Sequence, residues 1–243
     1  MMHVRKQPFL LLTLFLLCSA SISCYAQTLK EFFANTSTPL TYLGVDFSLT
    51  KIQGEAATPT EISTKFEPIN SVIITEAKKY DITGSFKRDA AVINYPDAVN
   101  KVNENANVTK MKTDNVSDLG TLTPDDISKH VKEYNLNGKT GIGLVFIMDG
   151  MSKTNKEAAM YATLINLSTK KVLLTEKITG KAQGFGFRNY WAYTVYKVLH
   201  TISSDKYKDW AKTAASAPEE KVAEAPKADT AKPKAAKKGK KAV

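Results

Sequence analysis

Asp149-Gly150 closes the most apolar stretch that follows residue 26, GIGLVFIM from Gly141 to Met148. Catalytic acids occur at the ends of buried strands, where a carboxylate emerges from a rigid frame. The same dipeptide is a turn signal, and no His, Glu or Cys stands at a recognisable catalytic spacing from it. A second candidate is the glycine-rich run Gly180–Phe187 (GKAQGFGF), which leads into a helical pattern. Free N–H groups and the dipole at a helix start can hold an anion. Lys181, Gly184, Gly186 and Arg188 are therefore the candidate anion-binding residues. The structural alternative is that these glycines let a strand turn tightly into a closely packed helix. Together, Asp149 and the Gly184–Arg188 loop define the catalytic alternative, a hydrolase or transferase of the cell envelope.

Other chemistries are excluded by spacing. Gly138-Lys139-Thr140 ends like a phosphate loop, but Glu133 stands where that motif needs its first glycine. The segment also leaves a helix and opens a strand, the reverse of a phosphate loop. Gly141 and Gly143 begin a dinucleotide fingerprint that Phe146 breaks. His130 and His200 have no histidine or carboxylate cluster at ligand spacing, so no metal and no cofactor is expected. No GxSxG, HExxH or EF-hand pattern occurs. Tyr190, Trp191, Tyr193 and Tyr196 could stack on sugars. Their spacing sends Trp191 inward and Tyr193 outward, which core and rim packing also explains.

The elements that must position these residues lie between two unusual ends. Residues 1–26 have the parts of a secretory signal: Arg5 and Lys6, the ten-residue apolar run Phe9–Cys18, and Cys24-Tyr25-Ala26 before a cleavage point. The expected mature chain begins at Gln27, is exported, and has no transmembrane segment after cleavage. A lipoprotein signal acylated at Cys24 is the competing reading. At the other end, residues 213–243 are rich in Lys, Ala and Pro and hold no aromatic residue. Such a segment buries too little apolar surface to offset its ordering entropy, so a disordered tail is expected. After Glu224 it carries seven lysines against one aspartate. Lys232, Lys234, Lys237, Lys238, Lys240 and Lys241 are its polyanion-binding candidates, and a solubilising role is the alternative.

The whole chain has 243 residues and a net charge of +10. Without Arg5, Lys6 and the eight lysines beyond residue 212, residues 27–212 keep 24 basic and 20 acidic side chains. The folded part makes no case for phosphate-backbone recognition, and no nucleic acid is expected as a partner in the cell.

Within residues 27–212 the pattern predicts one α/β domain. It is a single two-layer unit in which a mixed sheet with a C-terminal β-hairpin carries amphipathic helices. Thr28–Ala34 reads as a short helix, and Pro39–Leu49 as a strand. Asn70-Ser71 reads as the cap of a helix over Val72–Lys79. Ala91–Asn94 reads as a short strand, Pro96–Glu104 as a helix and 105–120 as a loop. Thr123-Pro124-Asp125-Asp126 is a helix start running to Tyr134. Gly141–Met148 is the central strand. Ala158–Leu167 and Val172–Ile178 form a hairpin, Phe187–Ser203 an amphipathic helix, and Asp205–Ala211 a last short helix.

Residues 141–203, with a strand ending at Asp149-Gly150, the hairpin MYATLINLSTKKVLLTEKITG and a long aromatic helix, resemble an envelope family. That family includes the curli-secretion lipoprotein and the penicillin-binding-protein activators. Lys170 and Lys171 stand where it favours Gly and Glu. The overall texture is similar to exported Bacteroidetes proteins. The resemblance implies a non-enzymatic assembly or regulatory module, periplasmic or outer-membrane associated. Its expected partner is an envelope protein or a cell-wall or lipopolysaccharide polyanion, with the basic tail adding electrostatic attachment.

Overall fold

The structure, a computed structural model, describes residues 28–217. The expected signal peptide, the Cys24 alternative and the tail lysines from Lys232 to Lys241 lie outside the described residues. Among the described residues, no helix is long and apolar enough to cross a membrane.

The apolar run beginning at Gly141 becomes β5 (Ile142–Ser152), buried along its whole length. Strands covered on both faces are expected to read as continuous apolar runs. On one side β5 pairs antiparallel with β6 (Glu157–Asn166), which pairs antiparallel with β7 (Val172–Lys181). On its other side β5 pairs in parallel with two short strands set end to end. β1 (Leu40–Asp46) takes Ile142–Ile147, and β2 (Lys51–Gln53) takes Gly150–Ser152. Two-residue strands, β3 (Ile93–Asn94) and β4 (Lys112–Thr113), flank β1 and β2. The result is the expected α/β domain with a mixed sheet and a C-terminal hairpin.

Helices cover both faces of the sheet, rather than one face of a two-layer unit. The larger core cluster joins β1, β5 and β6 to α3 (Phe66–Thr75), α7 (Gly186–Thr201) and α8 (Tyr207–Ser216). A smaller cluster on the opposite face joins Leu43, Val145, Ile147 and Tyr161 to α5 (Asp97–Glu104) and α6 (Pro124–His130). α6 starts as its sequence predicts: Thr123 and Asp126 form a reciprocal capping box with Pro124 in the first turn. α1 (Leu29–Ala34) and α2 (Pro59–Ser63) use the same device, through Thr28–Glu31 and Thr58–Glu61, while Asp81 alone caps α4 (Ile82–Ser85).

Four further expectations change. Asp149-Gly150 is no turn. β5 runs through it to Ser152, with a bulge between Met148 and Gly150. A bulge inserts one extra residue and kinks the strand, and here Leu119 and Gly120 press directly onto Gly150. Asn70 is no cap but a buried mid-helix residue of α3. The 105–120 loop contains β4 and two single 3-10 turns. The last helix reaches Ser216, past the expected boundary at residue 212, and Ala214 is buried within it.

Asn70 has a different task from capping. β1 carries its own bulge, between Tyr42 and Gly44, where Gly44 adopts φ 110°. Beyond it, β3 no longer supplies a partner. The Val45 amide donates to Asn70 Oδ1 at 2.7 Å, and Asn70 Nδ2 donates to the Val45 carbonyl at 3.2 Å. Asn103 of α5 bonds the same carbonyl at 3.0 Å, and its Oδ1 accepts from the Phe47 amide at 2.7 Å. Two buried asparagines thus stand in for a missing strand. Asn70→Ala leaves the Val45 amide buried without this acceptor, which should cost about 2 kcal/mol. Urea unfolding followed by tryptophan fluorescence reads that loss.

Arg88 closes the other end of the domain. Its buried guanidinium donates to the carbonyls of Phe86 (2.7 Å), Phe32 (2.9 Å) and Asn35 (3.1 Å), and to the Tyr207 hydroxyl (3.0 Å). It also lies 4.1 Å from the Phe32 ring centre. The carbonyls left open at the end of α1 are therefore satisfied by a cation, and α1 is tied to α8.

Candidate functional site

The strongest polar constellation joins residues far apart in sequence. Asp46 is fully buried at the end of β1. Its Oδ2 lies 2.7 Å from His130 Nε2 and accepts from the Tyr134 hydroxyl at 2.6 Å. Its Oδ1 accepts from the Ser48 amide at 2.8 Å and from the Ser48 hydroxyl at 2.6 Å. His130 Nδ1 lies 3.4 Å from Glu133 Oε2. The capped helix α6 and the following 3-10 turn at Val131–Glu133 place His130, Glu133 and Tyr134 over the strand end. His130, read from sequence as unpaired, is thus held by two carboxylates.

Burial pushes the Asp46 carboxyl up. The hydrogen bonds from His130, Ser48 and Tyr134, with the imidazolium charge, outweigh burial and hold it below its ordinary value. Burial pulls His130 down, while Asp46 and then Glu133 raise it above its ordinary value. Burial and the adjacent Asp46 charge push the Tyr134 hydroxyl well up, so it stays a donor.

Serine, histidine and aspartate here do not form a nucleophile relay. In a relay the imidazole stands between acid and hydroxyl, using one ring nitrogen for each. Here Asp46 and Ser48 share Nε2, with Ser48 Oγ 3.1 Å away, and the Ser48 hydroxyl donates to Asp46. The proton that a base would have to remove is already engaged by the acid. The cluster suits a charged, buried strut that docks α6 on β1.

Asp149 is likewise engaged. Its side chain is 1% exposed, with Oδ2 2.6 Å from Lys177 Nζ, while Oδ1 accepts from the Leu122 amide at 3.2 Å. Lys177 also donates to the Gly120 carbonyl at 2.6 Å, and Tyr161 donates to the Leu122 carbonyl at 2.5 Å. Burial lowers Lys177, but the hydrogen bond and charge of Asp149 win and raise it. Three strands and the 119–122 segment are thereby pinned together. Beside this pin, Gly150, Ala159 and Thr179 align across β5, β6 and β7 as the floor of a groove of about 190 Å³, with Val116 and Leu119 as its wall.

The expected anion loop lies on the other face, leading into α7. Lys181 Nζ is taken by Glu157 at 2.7 Å. Gly184 and Gly186 have φ 127° and 71°, and Phe185 between them is 96% exposed. Arg188 is exposed, with Nε donating to Asn189 at 3.0 Å. The loop thus keeps Arg188 at the surface while Lys181 has a carboxylate of its own. The sheet separates the loop from Asp149, so the two halves of the catalytic alternative are not brought together. Gly180 serves packing, because a Cβ there would clash with the Thr194 carbonyl of α7.

Trp191 is buried as expected, and its indole N–H donates to Glu55 at 2.9 Å. Tyr193 and Tyr196 are half-buried on the outer side of α7, their ring centres 5.1 Å apart. No family model, no curated protein and no solved structure matches this chain.

Proposed function

We propose that the chain is an exported, non-enzymatic binding module of the cell envelope, with its basic tail adding electrostatic attachment. The observation that carries this reading is the engagement of Asp149. The acid best placed by sequence for catalysis is closed over by Lys177 and the Leu122 amide, and a sheet separates it from the Gly184–Arg188 loop. The Asp46–His130 cluster gives the same message, since its serine proton is committed to the aspartate. Buried polar groups of this chain hold its framework, which leaves binding to its surface. The secretory pattern of residues 1–26 and the envelope-family likeness of 141–203 support the location.

Co-sedimentation tests the proposal. Mature protein from Gln27, whole and cut after Ala217, is spun with cell-wall sacculi and with outer-membrane vesicles at low and high salt. The cut is placed beyond Ala214 because that residue is buried in α8. Whole protein should sediment, with affinity weakening as salt screens the tail. No sedimentation of the whole protein with either material sinks the proposal. Binding by the shortened protein that survives high salt assigns recognition to the folded domain.

A further inference from the structure

The outer side of α7 and the turn that follows α3 (76–80) carry a ladder of aromatic rings and cations. Tyr193, Tyr196 and Lys197 stand at i, i+3 and i+4, which places them together on one helix face. Lys197 Nζ lies 5.7 Å from the Tyr193 ring centre and 5.9 Å from that of Tyr196. From the α3 side, Lys79 Nζ lies 5.9 Å from the Tyr193 ring and 5.0 Å from that of Tyr80. The ladder therefore runs Tyr80, Lys79, Tyr193, Lys197, Tyr196 across the seam between α7 and the 76–80 turn after α3. Arg188 contributes further positive charge near Tyr80.

Its charge is almost uncompensated. Among the described residues, Lys197 has no carboxylate within ion-pair distance. Lys79 has only Glu76 from its own segment, at 3.8 Å with both side chains largely exposed. Such an exposed pair contributes little and is readily exchanged for a stronger anion. Tyr193 and Tyr196 are half-buried, Tyr196 packing against the core with Tyr193 beside it, so part of each ring meets solvent, while Tyr80 is buried and serves only to seat Lys79. Fixed rings offer a face to the C–H side of a sugar, and flexible lysines between them reach acid groups along the same chain.

We propose that this seam docks an acidic polysaccharide, one whose sugar rings bear carboxylates or phosphates. The proposal rests on the envelope-binding reading and names the chemical class of its partner. Charge complementarity sets the acid requirement, and the two adjacent tyrosines set the sugar requirement. The ladder is a linear array of rings and cations, so it recognises a polymer by repeat rather than by one residue.

The test titrates the full mature chain with a galacturonic acid decamer and with its methyl ester, which keeps the ring faces and removes the charge. The decamer should bind, and the ester at least tenfold more weakly. Tyr193→Ala/Tyr196→Ala should weaken decamer binding about tenfold, Tyr193→Phe/Tyr196→Phe should retain it, and Lys79→Gln/Lys197→Gln should weaken it and reduce its salt dependence. The tail is present in every variant, so it cannot produce the differences between variants, which alone decide the question, and tryptophan fluorescence verifies the fold. Equal affinity of all variants for the decamer overturns the proposal, as does tighter ladder-dependent binding of single-stranded DNA. If envelope sedimentation persists while the ladder variants change nothing, the seam assignment fails and the envelope reading stands. If sedimentation is absent but the ladder binds decamer, the reverse holds.

Discussion

Replacing His130 by alanine should lower the folding stability by about 3 kcal/mol near pH 6, the largest single effect expected around the Asp46 cluster. The change strands a fully buried carboxylate that keeps only Ser48 and Tyr134 as donors. The pH dependence carries the sharper signature. Unfolded, the two groups titrate at their ordinary values of 3.8 and 6.5. Folded, Asp46 is lowered, so its contribution is present above 3.8 and disappears as pH falls through the depressed value. His130 is raised, so its contribution is complete below 6.5 and disappears as pH rises through the elevated value. Between these ordinary values the pair stabilises most. Urea midpoints from pH 5 to pH 9 should fall for the natural protein, and the part of the fall due to His130 should vanish in His130→Gln. Identical profiles for the two proteins would mean that the imidazole is not charged in the fold.

Arg88→Ala should cost about 4 kcal/mol. The loss removes a buried cation that holds four carbonyls, that of Thr38 the most distant, and a tyrosine hydroxyl at once, together with its packing on Phe32. Lysine should recover less than half, because one ammonium cannot reproduce the flat fork that reaches α1 and α8 together. Tyr207→Phe removes a single arm and should cost about 1 kcal/mol. Urea unfolding gives the totals, and limited proteolysis around residues 28–38 locates the damage. Unchanged protection of that segment in Arg88→Ala would show that α1 is held by other contacts.

Local rules carried much of the architecture. Thr123-Pro124 announces α6, the spacing of Trp191, Val195, Val198 and Ile202 announces α7, and the turn at 168–171 announces the hairpin. Each of these signals is complete within a few residues. The misses share the opposite property. Asn70 looked like a cap because asparagine favours helix starts, whereas here its amide meets a strand edge 25 residues earlier. Asp149-Gly150 looked like a turn because a bulge uses the same residue types, and only the register with β6 distinguishes them. His130 looked solitary because its buried acid, Asp46, lies 84 residues away, although Glu133 stands only three residues on. Arg88 carries no local motif at all, since its partners are mainly backbone carbonyls. The aromatic residues of α7 were legible as a set. The cation that joins them from the turn after α3, Lys79, was not, because the packing of that turn on α7 is not written in either segment alone.

The end-to-end placement of β1 and β2 along β5 also sets an order of events. A chain made from its N-terminus holds these two strands for about 100 residues before their common partner exists, a separation that slows folding through loop closure. In the meantime the apolar edge of Leu40–Asp46 is open to wrong pairing with another chain. Arrival of Ile142–Ser152 recruits both strands at once, and β6 and β7 follow by local hairpin closure. A polypeptide built this way stays unfolded until late in its synthesis, the state in which a chain can be threaded through a narrow pore.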